Sequence, residues 1–408
     1  MSGKVKVGWE VKKLGEVLVK TESIDPTKNP NEDFTYLDVS SVNKDTKEIE
    51  NATILLGKNA PSRARKLVRT NDVIFATVRP THSRVALITA EYDEQVCSTG
   101  YFVLRGKDFI YNQYLFYFLL TDEFNGQMEK LQKGASYPAV TDAEVKNTFL
   151  RYPKSLPEQQ RIVAILDEAF AAIAQEKANA EQNLKNAKEL FESYLQSVFE
   201  NKGEGWVDKR LSDLCDIKHG FAFKSEYFSS EGNYVLLTPG NFYESGGYRD
   251  RGEKQKYYVG EFPNDYKLNE GDLLVAMTEQ AAGLLGSPIL VPKSGRFLHN
   301  QRLGLITKKA NAHWINEFLF YVFNDKRVRK DIHNSATGIK VRHTSPTKIG
   351  DVLISLPVSI TEQKDLVSKL VILYEKTKQL AAIYQQKIND LDELKKSILQ
   401  KAFAGELC

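Results

Sequence analysis

Two segments of the chain carry apolar residues at alternating three- and four-residue spacings, the pattern of helices that pair along an apolar seam. The first segment has no glycine or proline between Glu158 and Phe199, and the second follows Thr361. Each keeps the pattern for about five heptads and so predicts a helix of about 40 residues and about 60 Å. The residues assigned to the seam are Leu166, Ile173, Leu190, Tyr194, Leu370, Leu373, Leu380, Tyr384, Leu391, Leu394 and Ile398.

The two seams differ in side-chain size, which bears on how the helices pair. The first is rich in alanine, whereas the second is rich in leucine and tyrosine. Small side chains in one helix can therefore accept large ones from the other. We predict that the two helices pair antiparallel within one chain as an intramolecular coiled coil. The alternative, in which each helix pairs with a second copy of the chain, stays open at this point.

The two helices belong to a repeat that runs through the whole chain. Residues 192–199 recur as residues 396–403, an offset of 204, whereas Trp9 and Trp206 match at an offset of 197. The growing offset places small insertions in the second copy, and insertions are tolerated in surface loops. The repeating unit is therefore a globular domain followed by a long helix.

Within each repeat, short β-branched runs are separated by turn residues, and residues 111–123 and 315–323 have helical apolar spacing. We therefore predict two similar mixed α/β domains, related with their helices by a pseudo-twofold internal repeat. Antiparallel helices would place one domain at each end of a rod, an arrangement suited to duplex DNA contacted at two half-sites. The predicted domains and helices are 1–152, 153–203, 204–356 and 357–408.

Composition narrows the class of protein. The 408 residues are 42% hydrophobic and 27% charged, and the net charge is +3, which neither favours nor excludes a polyanionic partner. The longest apolar run, Tyr114 to Leu120, is far shorter than the roughly 20 residues of a membrane span. The three cysteines are far apart, as expected for reduced thiols. We predict a cytoplasmic protein that does not enter a membrane.

Basic clusters recur in both repeats beside the predicted strands, and Lys133-Gly134 and Thr337-Gly338 occupy equivalent places at an offset of 204. Lysine and arginine contact phosphates, and glycine lets backbone amides approach them. For any single cluster an ordinary solvated face, and for the glycines a plain turn, is the alternative. The candidate DNA-binding residues are Arg63, Arg65, Lys66, Arg69, Arg79, His82, Arg84, Lys133, Gly134, Ser136, Tyr137, Lys218, Lys224, Tyr243, Gly338, Lys340, Arg342 and His343.

Motifs for covalent chemistry are absent from the sequence. It has no G-x-x-x-x-G-K-[ST] loop, no G-x-G-x-x-G after a strand and no N-P-P-[FY] tetrapeptide, and its six histidines lack metal spacing. We therefore predict no catalytic residue, no metal site and no cofactor in this chain. Two other classes remain to be weighed: a coiled-coil scaffold or oligomerisation protein without DNA binding, and an enzyme acting alone.

Three stretches carry a family resemblance. Residues 397–407 closely resemble the S-I-L-x-K-A-F-x-G-E-L ending of specificity (S) subunits of type I restriction-modification systems, and residues 153–163 are similar to that family's P-x-x-E-Q-x-x-I-V helix start. Residues 271–274 resemble its G-D-[IL]-[IL] strand. The sequence departs from the family at Asn71, where glycine is usual, and at Glu200, where the first long helix lacks the K-A-F-x-G-E-L ending.

The resemblance implies a non-catalytic subunit with two target-recognition domains, each binding one half of a split target in double-stranded DNA. The long helices would act as the spacer that fixes the gap. Methyltransferase (M) subunits would dock on the chain and supply S-adenosylmethionine for adenine N6 methylation. Restriction (R) subunits, using ATP and Mg²⁺, would join for cleavage.

Overall fold

The computed structural model of the chain describes residues 6–280 and 283–407. Contacts divide the chain into two compact units: unit 1 lies within residues 1–181 and 385–408, and unit 2 is residues 182–384. Two long helices run over Leu156–Glu200 and Ile360–Ala404. Each helix therefore contributes one half to unit 1 and the other half to unit 2.

Unit 1 is a mixed α/β domain with the two helix halves packed on it. Its strands are Trp9–Lys13, Asp33–Leu37, Thr53–Leu56, Ala64–Leu67, Val73–Ala76, Val85–Leu87, Val96–Ser98, Tyr101–Leu104 and Phe149–Pro153. Its shorter helices are Leu14–Val17, Asn112–Phe118, Asp122–Leu131 and Asp142–Lys146. The central strand Val73–Ala76 pairs antiparallel with strands on both sides. All four of its residues are buried, as the apolar run predicts.

Unit 2 follows the same general order of elements, with additional short strands. Its strands are Trp206–Arg210, Cys215–His219, Phe228–Ser229, Tyr234–Leu237, Tyr257–Tyr258, Leu273–Ala276, Thr278–Glu279, Pro288–Leu290, Phe297–His299, Leu303–Lys308, Arg342–His343 and Leu353–Pro357. Its shorter helices are Leu211–Leu214, Asn316–Val322, Lys326–Ser335 and Pro346–Gly350. The central strand here is Leu273–Ala276, in a four-stranded sheet. The prediction of two similar mixed α/β domains is confirmed.

A two-stranded antiparallel ribbon joins the first strand of each globular domain to the beginning of a long helix. In unit 1 the ribbon pairs Trp9 with Pro153, and in unit 2 it pairs Trp206 with Pro357. Both prolines are the last residues of their strands, where the lack of an N–H does not interrupt the ladder. The ribbon therefore fixes the point from which each helix leaves its globular domain.

A buried glutamine in the first turn of each long helix ties the helix to its domain. Gln159 is fully buried, and its Nε2 donates to the carbonyls of Phe109 and Pro153, at 2.9 Å each. Its Oε1 accepts the backbone N–H of Tyr111 at 2.8 Å. All the bonds of this buried amide are thus made to main-chain groups that would otherwise be unsatisfied.

The same set of bonds recurs in unit 2 at an offset of 204. Gln363 Nε2 donates to the carbonyls of His313 and Pro357, at 3.1 and 2.8 Å, and Oε1 accepts the N–H of Ile315 at 3.0 Å. Gln363 is also fully buried. These glutamines belong to the E-Q pair of the family motif, and the structure gives that pair a physical role in joining helix to domain.

The two long helices pair antiparallel within each unit. In unit 1, Lys177 Nζ lies 2.6 Å from Asp392 Oδ1, and Lys387 Nζ lies 2.7 Å from Glu176 Oε2. Lys395 lies 4.8 Å from the ring centroid of Phe170. Residue numbers thus fall along one helix as they rise along the other. The prediction of an intramolecular antiparallel pair holds within each unit.

The seam differs from the predicted one at every second position. Leu166, Ile173 and Leu370 are buried, but Leu190, Leu380 and Leu394 are 50%, 38% and 47% exposed. Placing these three leucines in the seam was wrong. Tyr194, Leu373, Tyr384, Leu391 and Ile398 are half-buried.

Aromatic packing explains the difference in the first helix. From Leu166 the seam advances first by four residues and then by three. Phe170 and Phe191 therefore lie in the seam, in place of the residues directly before them that the pattern predicted. Phe170 packs edge-on against Tyr117 of unit 1, and Phe191 packs against Tyr374 of unit 2, with centroids 5.5 and 5.3 Å apart. Burying these rings outweighs burying the alternative alanine or leucine.

Replacing Gln159 by leucine should strongly destabilise unit 1. One N–H and two carbonyls of the main chain would lose their partner inside the protein, at about 1–3 kcal/mol each, so we expect a loss of about 3–9 kcal/mol. Urea unfolding, with hydrogen exchange to locate the opened segment, measures this. Gln160→Leu is the matched control, because Gln160 is exposed, and it should change stability by less than about 0.5 kcal/mol. Equal stability of the two variants would contradict the role of Gln159.

Candidate nucleic-acid interface

Two loops of unit 1 lie side by side and carry several of the predicted DNA-binding residues. Hairpin loop 1 is residues 77–84, between the paired strands Val73–Ala76 and Val85–Leu87. Glycine loop 1 is residues 132–141, between two short helices. The N–H of Arg79 donates to the carbonyl of Pro138 at 2.7 Å, which joins the loops. The structure thus brings together two groups of candidates that are 49 or more residues apart in the sequence.

Arg79 and Tyr137 form the outer contact between these loops. The guanidinium of Arg79 lies 5.1 Å from the ring centroid of Tyr137, whose side chain is 72% exposed. Stacking on an aromatic face leaves the N–H donors of arginine available at the edge of the plane. Such a pair can present a flat surface and a set of donors to a base or a phosphate.

Hairpin loop 1 also lines an open concavity of about 490 Å³. It is lined by Lys44, Asp45, Lys47, Arg79, Thr81, His82, Ser83 and Arg84. Four cationic side chains face one carboxylate there, and His82 is exposed. A concave surface with this excess of positive charge attracts polyanions.

Lys47 is the most enclosed cation of the concavity. Its Nζ donates to the carbonyl of Ser83 at 2.7 Å, and the guanidinium of Arg84 donates to the carbonyl of Val42. Burial lowers the pKa of Lys47 to about 8, opposed by Asp45 and assisted by the positive charges of nearby lysines. The main-chain bonds hold both cations in place before any ligand arrives.

Four other predicted cations of unit 1 are engaged in ion pairs of the fold. Lys66 Nζ lies 2.8 Å from Asp142 and also donates to the carbonyl of Tyr101 at 2.6 Å. The remaining pairs are Arg65 with Asp25 at 3.5 Å, Arg69 with Glu94 at 3.1 Å and Glu22 at 3.5 Å, and Lys133 with Glu144 at 2.9 Å. Carboxylates already occupy these side chains, so we narrow the candidate interface to the concavity and the Arg79–Tyr137 pair.

Three further candidates of unit 1 lie on exposed loop backbone. Arg63, Gly134 and Ser136 are exposed. Gly134 has φ +105°, and the equivalent Gly338 of unit 2 has φ +104°. A Cβ on Gly338 would lie 2.1 Å from the carbonyl oxygen of Val341. Both glycines are therefore required by the turn itself.

Unit 2 has a different polar cluster at the equivalent loops. Hairpin loop 2 is residues 277–280 and 283–287, and its Thr278–Glu279 strand pairs with Arg342–His343. Glu279 is 2% exposed, and its Oε2 accepts the N–H groups of residues 283, 284 and 285 at 3.0, 2.9 and 3.1 Å. Arg342 Nη1 and His333 Nδ1 lie 3.5 and 3.6 Å from Glu279 Oε1. A buried carboxylate therefore organises this loop.

The other candidates of unit 2 are spread over its surface. Lys218 Nζ lies 4.6 Å from the ring centroid of Tyr266, and Lys224 Nζ lies 4.0 Å from Glu226. Tyr243, Lys340 and His343 are exposed. His343 Nδ1 lies 3.2 Å from the hydroxyl of Thr278. The structure brings Arg342 and His343 to hairpin loop 2 but places Lys218 and Lys224 on other elements.

The sequence interpretation missed Lys44, Lys47 and Glu279. The first two precede Arg79 by more than 30 residues and join it through the sheet, so no local pattern connects them. Comparing the repeats position by position would have given a signal, because Lys44 and Arg79 match Glu244 and Glu279 at an offset of 200.

Within residues 6–280 and 283–407, no three histidine, cysteine, aspartate or glutamate side chains are grouped so that they could hold a metal ion. In the same ranges no helix has the length and apolar character needed to cross a membrane. What this geometry offers is positive charge, hydrogen-bond donors and an exposed aromatic ring, which are the means by which proteins bind nucleic acid.

Comparisons with known proteins agree with the repeat. The StySPI type I restriction enzyme specificity subunit of Salmonella potsdam is 25% identical over 373 residues, covering 87% of this chain and 78% of the relative. A chain from a structural study of complex assembly and conformational transition of the type I R-M system has a TM-score of 0.82 at 28% identity, covering 99% of this chain and all of that one.

The crystal structure of the HsdS subunit from Thermoanaerobacter tengcongensis has a TM-score of 0.72 at 28% identity, covering all of this chain and 99% of that one. None of these similarities supports a scaffold protein without DNA binding. The model of the type I restriction modification DNA specificity domain matches residues 6–186 and again residues 203–390. The chain belongs to this family of DNA specificity domains, and it contains two of them.

Proposed function

We propose that this chain is the DNA-specificity subunit of a type I restriction-modification complex and that each unit binds one half of a bipartite target. The observation that carries this proposal is the pair of units with one scaffold and unlike loops. The same strand hairpin carries basic residues in unit 1 and a buried glutamate in unit 2. Two unlike surfaces on one scaffold suit two unlike half-sites.

In unit 1 the concavity would hold the phosphate backbone, and Arg79 with Tyr137 would face the bases. Arginine donates two bonds to guanine in the major groove, and an exposed ring stacks on an unpaired base. In unit 2 the exposed Tyr243, Lys340 and His343 would make the corresponding contacts. Phosphate contacts position the protein, while base contacts select the sequence.

The chemistry would belong to partner subunits. Methyltransferase (M) subunits would bring S-adenosylmethionine, and restriction (R) subunits would use ATP and Mg²⁺, while this chain would remain non-catalytic in the cytoplasm. The StySPI relative supports this, because it is named as the specificity subunit of a type I restriction enzyme. The paired helices would set the gap between the half-sites.

Arg79→Ala should weaken binding of the target duplex about 10- to 100-fold, because a bidentate arginine contact contributes about 1–3 kcal/mol. Fluorescence anisotropy of a labelled target measures this. Arg69→Ala is the control: Arg69 is paired with Glu94 and Glu22, so affinity should stay within about twofold of the parent. Equal losses in both variants would contradict the placement of the interface.

Methylation mapping in a host that expresses this chain with its methyltransferase partner should show a split, asymmetric motif. Replacing residues 1–152 by the matching region of another family member should change one half of the motif and leave the other half intact. A continuous palindrome, or a change in both halves, would contradict one unit per half-site. Purified chain alone should transfer no methyl group to DNA, and turnover would contradict a non-catalytic role.

Adding one heptad to both long helices, near Ala180 and after Tyr384, should widen the gap by about three base pairs. Seven residues extend a helix by about 10 Å, and equal insertions keep the apolar seam in register. Motif mapping measures the gap. The control adds the heptad to the first helix only, which shifts the seam and should abolish binding. An unchanged gap at full affinity would contradict the spacer role.

A further inference from the structure

The loops of the two units can be compared residue by residue. A short 3-10 helix, Val39–Ser41 in unit 1, recurs as Pro239–Asn241 in unit 2 at an offset of 200. The side chain at the end of each accepts the N–H of the residue before its start, at 3.1 and 3.0 Å. The central strands, Val73–Ala76 and Leu273–Ala276, keep the same offset. Between these elements, equal offset therefore means equal place in the fold.

Charge is reversed at two of these equivalent places. Lys44, two residues past the bridge residue Val42, corresponds to Glu244, two residues past the bridge residue Phe242. Arg79 corresponds to Glu279, because Arg79 bonds to Pro138 and Glu279 pairs with Arg342, which is equivalent to Pro138 at an offset of 204. Both pairs lie on loops that meet beside the central hairpin. The reversals therefore fall on one surface of each unit.

The consequences for the local field are opposite. In unit 1 four cations share the concavity with a single carboxylate, Asp45. In unit 2 burial lowers the pKa of Arg329 to about 10, and the negative charges of Glu279 and Glu244 oppose this lowering. Two carboxylates there face Arg329 and Arg342. One surface has a strong excess of positive charge, and its counterpart is balanced.

We propose that the concavity of unit 1 is a binding site for the phosphodiester backbone of duplex DNA, and that unit 2 has no equivalent anchor at this place. Unit 1 then supplies most of the salt-dependent affinity at this surface. Unit 2 binds there through hydrogen bonds whose geometry is set by Glu279. This inference rests on the proposed DNA-binding function. It assigns the salt-dependent part of the binding free energy at this surface mainly to unit 1.

Counterion release gives the test, with the full-length chain and a duplex of unrelated sequence as probe. Each lost phosphate contact lowers the slope of log affinity against log salt by about one. Over a fourfold rise in salt, the affinity of Lys44→Gln should therefore fall by a factor about four times smaller than the factor by which the parent's affinity falls. Lys44 is exposed, so its replacement leaves the fold intact.

Glu244→Gln is the matched control, because Glu244 occupies the same place and is also exposed. Its slope should equal or exceed that of the parent. Equal slopes for the parent and Lys44→Gln, or the same lowering in both variants, would overturn the unequal division while leaving DNA binding itself in place. Absence of DNA binding by the parent at low salt would overturn the proposed function as well.

A pH series checks the enclosed lysine. Lys47 faces Asp45, Lys44, Arg84 and, from the second long helix, Lys395. With a pKa of about 8 it loses its proton between about pH 7 and pH 9, and a bound phosphate favours the protonated form. Affinity for the unrelated duplex should fall several-fold over this range in the parent. Lys47→Arg, which stays charged, should bind with little change, and identical pH profiles would overturn the part assigned to Lys47.

Discussion

The buried glutamine at the start of each long helix is the contact on which the two-part organisation depends. Each amide bridges three main-chain groups of a loop and a strand end, and it does so in both units with the same geometry. An aliphatic residue of equal size would fill the space but leave those groups unsatisfied in a dry interior. Because the amide fits only one arrangement of helix and domain, it sets the direction in which the helix leaves.

The helix seam shows which features of the long helices the apolar periodicity could predict and which it could not. An apolar pattern identified both helices, since their length and lack of breakers allow little else. It placed Leu166, Ile173 and Leu370 in the interior, where they lie. It could not decide between steps of three-then-four and four-then-three, because alanine and leucine occur at both sets of positions. That choice depends on which aromatic rings the neighbouring domain can cover. The spacing of apolar residues along a helix does not predict such tertiary packing.

The candidate interface divides in the same way. Arg79, His82 and Arg84 could be proposed from the sequence, because they follow a buried strand and must lie where it ends. Lys66 and Arg69 looked equivalent, yet the fold pairs them with carboxylates distant in sequence. A cluster of basic residues in the sequence does not show which cations can bind a ligand and which are already paired with a carboxylate of the fold. Lys44 and Lys47 were missed for the converse reason, since their neighbours come from another loop.

The C-terminal ends of the two long helices are alike in their apolar residues but differ in charge. The charges therefore distinguish which end docks on which domain. Leu195 and Phe199 of the first helix match Leu399 and Phe403 of the second, so either pair could fill either domain. Beside these apolar pairs the polar groups are exchanged. In unit 2, Lys326 Nζ lies 3.7 Å from Glu192.

In unit 1 the same places hold Asp122 and Lys396, which line one cavity with Glu123. Asp122 also contributes to raising the pKa of Lys396, after the larger effect of Glu393. Docking the first helix end on the first domain would set Glu192 against Asp122 and Glu123. Like charges repel, so the mismatched pairing is disfavoured. Each exposed ion pair of the native arrangement, in contrast, stabilises its own unit only slightly.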